Sequence, residues 1–170
     1  MEFRVFEMQY KDEQVPDSGI QCVPFEERYF EEYRQIYNAC FYEMRKALDR
    51  KPYNYLESMK QLDGKTDEIM LLMKGDEIVG SVASYGNEVD DLVVNQKFQR
   101  KGFGKKLLLY GMKKIRNRSE EPILLHVTEW NQHAVRMYQQ TGFERTDTIV
   151  IKTDEIIDED NCKEVISQEE

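Results

Sequence analysis

Cysteine is scarce in this chain, three in 170 residues at positions 22, 40 and 162, and no two of them form a C-x-x-C pair. That excludes a disulfide framework and a thiolate zinc site, and an odd count of thiols suits a reducing cytoplasm. Histidine is scarcer. Only His126 and His133 occur, seven apart across a predicted strand-to-helix junction, so no metal centre is expected. No apolar run approaches the roughly 18 residues of a membrane span, and the opening Met-Glu-Phe-Arg-Val-Phe is no signal peptide. A basic excess is missing too, which removes nucleic acid as an expected partner. The formal charge of −9 is local, because residues 153–170 hold eight carboxylates against Lys163, leaving 25 acids and 23 bases in residues 1–152. The chain therefore divides into a nearly neutral body, residues 1–152, of a size for one domain, and an acidic tail, residues 153–170. With Ile156, Ile157, Val165 and Ile166 spread through it, the tail reads equally as disordered or as an added amphipathic piece.

What is present is a stretch from Leu92 to Lys106. An apolar run (Leu92, Val93, Val94), a polar turn, and Gly102 and Gly104 among Arg100, Lys101, Lys105 and Lys106 precede Leu107 to Met112 at helical spacing. This is strand, loop and helix N-terminus. Glycine lets the backbone take φ > 0 and approach a ligand, while the free N–H groups of a first helical turn and the helix dipole favour an anion such as a phosphate. Neither common nucleotide fingerprint fits. The third glycine of a dinucleotide loop is lacking, and the glycines between Gly75 and Ser81 lack the lysine of a P-loop and fall in a predicted hairpin and strand.

Gln-x-x-Gly-x-Gly at Gln99, Gly102 and Gly104, preceded by Leu92 and Val94, does match another pattern. About thirty residues on comes a strand, then Asn131, Ala134, Tyr138 and a closing Gly142-Phe143. Each of these has a local reason: Asn131 is a good N-cap, Ala134 and Tyr138 share a helix face, and Gly142 can stop the helix in the left-handed conformation. In order and at this spacing, the two segments resemble the coenzyme A-binding motifs of the GCN5-related N-acetyltransferase (GNAT) superfamily. The resemblance covers residues 67–152 well and the earlier part in element order only. It implies an α/β fold with a mixed, mostly antiparallel sheet, flanked by helices, in which the strand ending at Val94 and the one ending near Thr128 are parallel neighbours that splay apart. It also implies acetyl-CoA as co-substrate, held by Leu92, Val93, Val94, Gln99, Arg100, Lys101, Gly102, Phe103, Gly104, Lys105, Asn131, Ala134 and Tyr138. Family members often dimerise, so a homodimer is an expected state that no residue here compels.

In chain order, residues 2–10 alternate as a strand, and residues 20–25 form a further strand or an extended lead-in. Apolar residues three and four apart from Tyr29 to Leu48 predict a helix over residues 26–50, with a core-facing stripe; its tyrosines are a second option as the wall of an aromatic acceptor pocket. A short second helix is predicted over residues 53–62, then strands at 68–74 and 77–85 joined by a Lys74-Gly75-Asp76 turn. In the next strand, period two puts Glu88, Asp90, Leu92 and Val94 on one side and Val89, Asp91 and Val93 on the other. Strands over 122–127 and 144–152 complete the set.

Acetyl transfer to an amine needs a base, because an alkylamine titrating near 10.4 is mostly charged at pH 7. Glu88 is the candidate, six residues before Val94, where it resembles the general base of the histone-acetylating branch; Asp90, Asp91 and Glu129 are lesser ones. The Val94 N–H is the expected oxyanion donor and Tyr138 the acid that protonates the departing sulfur. No cysteine falls inside either motif, so direct attack in a ternary complex is expected. The acceptor, a small amine, an amino acid or a protein amine, is not readable. A competing reading is a non-catalytic acyl-CoA-binding module of the same fold.

Overall fold

The computed structural model describes residues 1–153. Only Thr153 of the expected acidic tail falls among them. The rest of the tail lies outside the described residues.

Seven strands form one sheet in the order β2-β3-β4-β5-β6-β1-β7. They are β1 (Glu2–Tyr10), β2 (Val23–Pro24), β3 (Ile69–Lys74), β4 (Glu77–Tyr85), β5 (Glu88–Val94), β6 (Ile123–Thr128) and β7 (Glu144–Lys152). The helices are α1 (Phe30–Ala47), α2 (Phe103–Arg116) and α3 (Gln132–Thr141). All neighbouring strands run antiparallel except β5 and β6. The expected mixed, mostly antiparallel α/β fold is therefore present.

Two apolar clusters sit on opposite faces. One joins Leu107, Leu108, Met112 and Ile115 of α2 and Ala134, Val135 and Tyr138 of α3 to Val82, Val89, Leu125 and Val127 of the sheet. The other joins Tyr33, Ile36, Tyr37, Phe41 and Met44 of α1 to Val5, Ile69, Leu71, Ala83 and Val93. The predicted stripe of α1 is thus core. Close approach of α2 depends on Gly80, where an added Cβ would lie 2.5 Å from the Val93 carbonyl oxygen and 2.7 Å from Leu107 Cδ1.

Three expectations need correction. The predicted helix over residues 53–62 is only a 3-10 turn, Met59–Leu62. Its first half is irregular because α1 satisfies that backbone: Asn38 Nδ2 donates to Leu56 O (2.9 Å), Leu56 N–H donates to Asn38 Oδ1 (2.8 Å), and Arg45 Nε donates to Pro52 O (2.8 Å). The helix over residues 26–50 is shorter, a 3-10 turn Glu27–Tyr29 leading into α1. The simple alternation along β5 also fails. Ser81 pairs with Val93 but Ala83 with Asp90, so β5 carries one extra residue, and Asp91 takes φ 49° there. Beyond this bulge the faces swap, so that Val89 joins the α2 cluster while Val93 joins the α1 cluster. Leu92 and Val94, expected opposite Val89, pack on its side.

Candidate active site

The parallel pairing of β5 and β6 is confined to Glu88 and Leu124. Beyond it the strands part, and their C-terminal ends enclose a cavity of about 720 Å³, within the range of cofactor sites. Asn95 N–H donates to Val79 O (2.9 Å), so the adjacent Gly80–Val94 pair is the non-hydrogen-bonded kind in the antiparallel ladder. The N–H and C=O of Val94 therefore point away from β4, into the fork. The carbonyl accepts from Gln99 Nε2 (3.0 Å) and Cys40 Sγ (3.2 Å).

Two helices begin at this fork. Gly102, at φ 85°, caps α2, and no side chain caps its first turn. Arg100 also takes positive φ, 63°, in the preceding loop. At α3 the Asn131 side chain accepts from Ala134 N (3.2 Å), and Gly142 at φ 116° ends the helix. Unpaired N–H groups and the positive ends of both dipoles, with Arg100 and Lys105 on the wall, suit an anionic ligand.

Twelve expected site residues line the cavity: Leu92, Val93, Val94, Gln99, Arg100, Gly102, Phe103, Gly104, Lys105, Asn131, Ala134 and Tyr138. Tyr138 is buried, with Phe143 packed at 6.1 Å between ring centroids. Two expected residues are not in the wall. Lys101 places its ammonium 5.8 Å from the Phe98 ring centroid. Glu88 lies on the α1 face of the sheet, hydrogen-bonded to His126 Nδ1. Of the lesser carboxylates, Asp90 Oδ1 accepts from Asp91 N (2.7 Å) and Glu129 pairs with Arg4 at 3.8 Å.

The sequence reading missed Cys40, Phe41 and Met44 of α1, Phe98, Trp130, His133 and Met137. Trp130 and His133 flank the Asn131 cap and could have been found from that position. The α1 residues could not, because their spacing is that of any core stripe. Cys40 matters chemically, since it brings a thiol to the cavity despite lying outside both motifs. Burial pushes that thiol up to about 11, so it is a poor nucleophile.

Beside the cavity wall, Asp91 is buried under α1. Tyr37 and Tyr85 donate to its two oxygens at 3.3 and 3.1 Å. Burial pushes its carboxyl up to about 6, against the pull of Lys65 and of both hydroxyls. One tyrosine of α1, Tyr37, and one of β4, Tyr85, thus flank the carboxylate. Among the described residues no group of three His, Cys, Asp or Glu is placed to hold a metal, and no helix is long and apolar enough to cross a membrane.

A family model described as the Acetyltransferase (GNAT) family matches residues 30–143. No curated protein matches the sequence. Among solved structures, a GNAT-family protein from Colwellia psychrerythraea superposes with TM-score 0.68 at 12% identity, over 88% of this chain and 56% of its own. One from Novosphingobium aromaticivorans gives TM-score 0.65 at 14% identity, over 88% of this chain and 63% of its own. The ribosomal-protein-S18-alanine N-acetyltransferase from Escherichia coli gives 0.52 at 18%, over 76% and 90%. This chain thus spans less than two thirds of the first two structures, and at these identities the likeness is one of fold.

Proposed function

Because this chain belongs to the acetyltransferase (GNAT) family, we propose that it moves an acetyl group from acetyl-CoA to a primary amine by direct attack in a ternary complex. The observation that carries the reading is the cavity at the β5–β6 fork, onto which two helix N-termini and the Val94 N–H converge. Residues 1–152 are the transfer domain in this reading.

The main-chain N–H groups of residues 102–105, with Arg100 and Lys105, hold the diphosphate of the co-substrate. Leu92 to Val94 offer main-chain groups to its amide-rich arm, as an added strand would. Acetyl-CoA supplies a thioester already activated toward amines. The Val94 N–H stabilises the carbonyl oxygen as negative charge develops there, a type of interaction worth about 3 kcal/mol in other acyl transfers. Tyr138 gives its hydroxyl proton to the departing sulfur, whose acidity is close enough to that of a phenol for the transfer. Glu88 receives the proton of the acceptor ammonium through water. The protonation state of Cys40 supports direct attack over an acetyl-cysteine intermediate.

The test is a thermal melt with acetyl-CoA followed by a panel of amines with detection of free thiol. Because one fold relative acts on a protein's alanine, the panel includes a peptide beginning with alanine beside polyamines and amino acids. Saturating acetyl-CoA at a hundred times its Kd stabilises the protein by about 2.7 kcal/mol, which a melt resolves. An unchanged melting temperature at millimolar acetyl-CoA overturns the reading. Binding without amine-dependent thiol release leaves only the non-catalytic module.

A further inference from the structure

On the α1 face of the sheet, across β5, β6 and β1, Glu88, His126 and Glu7 form a row that lies outside the cavity wall. His126 is the register partner of Glu7, and Glu88 sits at the one parallel pairing of β5 with β6. The imidazole Nδ1 bonds Glu88 Oε1, while Nε2 lies 3.6 Å from Glu7 Oε2. Side-chain exposure is 16% for Glu88, 11% for His126 and 27% for Glu7, so the Glu7 end is the more open of the two. Glu7 is itself positioned, accepting from Gln9 Nε2 at 3.3 Å and Thr146 Oγ1 at 3.1 Å.

Two carboxylates on one imidazole is an arrangement that burial alone disfavours. Burial would lower the proton affinity of His126, but the bond and charge of Glu88, joined by Glu7, outweigh it and raise the imidazole above its ordinary value. The charged groups facing His126 are Glu88 from β5 and Glu7 from β1. Asp147 stands opposite Glu7 on β7, and farther along β5 Asp91 has Lys65 beside it.

We propose that Glu88, His126 and Glu7 are a proton relay that carries the proton of the acceptor ammonium from the transfer site to solvent, with His126 as its holding station. The proposal rests on the acetyl-transfer reading. The active form has a neutral imidazole with its proton on Nε2. The ammonium N–H breaks and its proton reaches Glu88 through water. It then passes to Nδ1, and the Nε2 proton leaves by way of Glu7. That leaves the proton on Nδ1, and exchange with solvent water, one proton leaving Nδ1 and one binding Nε2, restores the starting form before the next turnover with no net change in protons. The water is required because Glu88 is four residues, about 13 Å of extended strand, from Leu92. Below the midpoint of His126 the relay is already loaded and accepts nothing, so turnover falls as pH drops through that midpoint.

With only two histidines in the chain, NMR titration of the full protein, assigned by His126→Gln, reads the midpoint directly. The expected result is a midpoint above the ordinary imidazole value, a downward shift in Glu88→Gln, a smaller one in Glu7→Gln, and an acid limb of kcat/KM that follows the midpoint in wild type and Glu7→Gln and is lost in Glu88→Gln, which lacks the first carrier. His126→Gln keeps acetyl-CoA binding, loses at least about 30-fold in kcat/KM, and loses that limb; general acid–base groups contribute 10²-fold to 10⁴-fold. A midpoint that does not move in Glu88→Gln overturns the pairing, and an acid limb that ignores the midpoint overturns the relay. A protein that binds acetyl-CoA but acetylates no amine has no such proton to move. That outcome overturns the relay through the function reading, while the NMR arm still reports the pairing by itself.

Discussion

Asp91 should make the protein less stable as pH rises, and replacing it by asparagine should remove the effect. Its carboxyl is buried, and its proton affinity is raised from 3.8 to about 6. In the unfolded chain the group loses its proton first. Folding therefore retains protons on Asp91 between the two values, and the stability this gives is present below the unfolded value and lost as pH climbs through the folded one. A rise of roughly two units corresponds to about 3 kcal/mol when complete, of which about 2 kcal/mol falls between pH 4.5 and pH 7.5. An asparagine side chain in its place would keep the site. The left-handed φ of 49° suits asparagine better than most residues, and a tyrosine hydroxyl can turn to accept from the new amide. Urea denaturation of wild type and Asp91→Asn at both pH values gives the double difference, in which shared acid effects cancel. The expected gain of the variant over wild type is larger at pH 7.5 than at pH 4.5 by about 2 kcal/mol. An equal difference at the two pH values would show that the ionised carboxylate costs nothing in place, and the reasoning from burial would fail.

Tyr138→Phe should lower kcat while leaving the melting shift with acetyl-CoA nearly intact; equal turnover would remove the hydroxyl from the mechanism. Gly104→Ala should separate fold from binding. The new Cβ would meet Met137 Sδ at 3.6 Å and Val94 Cγ2 at 3.9 Å, ordinary contacts, so the helix is not harmed, but all three residues line the cavity. The apo melting temperature should hold or rise and the affinity for acetyl-CoA fall, as read by calorimetry. Gly80→Ala should do the reverse, costing about 1–3 kcal/mol in urea denaturation, because its Cβ would meet a main-chain oxygen at 2.5 Å.

The parts of the fold that could be read in advance are those set by local chemistry. The alternation of β1, the Gly75 turn and the caps at Gly102, Asn131 and Gly142 follow from backbone freedom and side-chain hydrogen bonds a few residues away. The glycine loop from Gln99 to Lys105 was legible as an anion site for the same reason, while Leu92 to Val94 entered only through the family resemblance, Phe98 was not expected and Lys101 lies outside the wall. What could not be read depends on partners distant in sequence. Residues 52–56 stay irregular because Asn38 and Arg45 satisfy the backbone of Leu56 and Pro52, which no propensity encodes. The bulge at Asp91 adds one residue against β4, and nothing in Glu-Val-Asp-Asp-Leu-Val-Val marks which residue is extra. That single residue has the largest effect on the site. Without it, strict alternation would put Leu92 and Val94 on the face opposite Val89, with Val93 beside Val89. With it, Leu92 and Val94 pack toward α2 and α3, and the two carboxylates before Leu92 are both buried. The irregularity in β5 thus positions the Val94 main chain at the fork and confines Asp91 between Tyr37 of α1 and Tyr85 of β4.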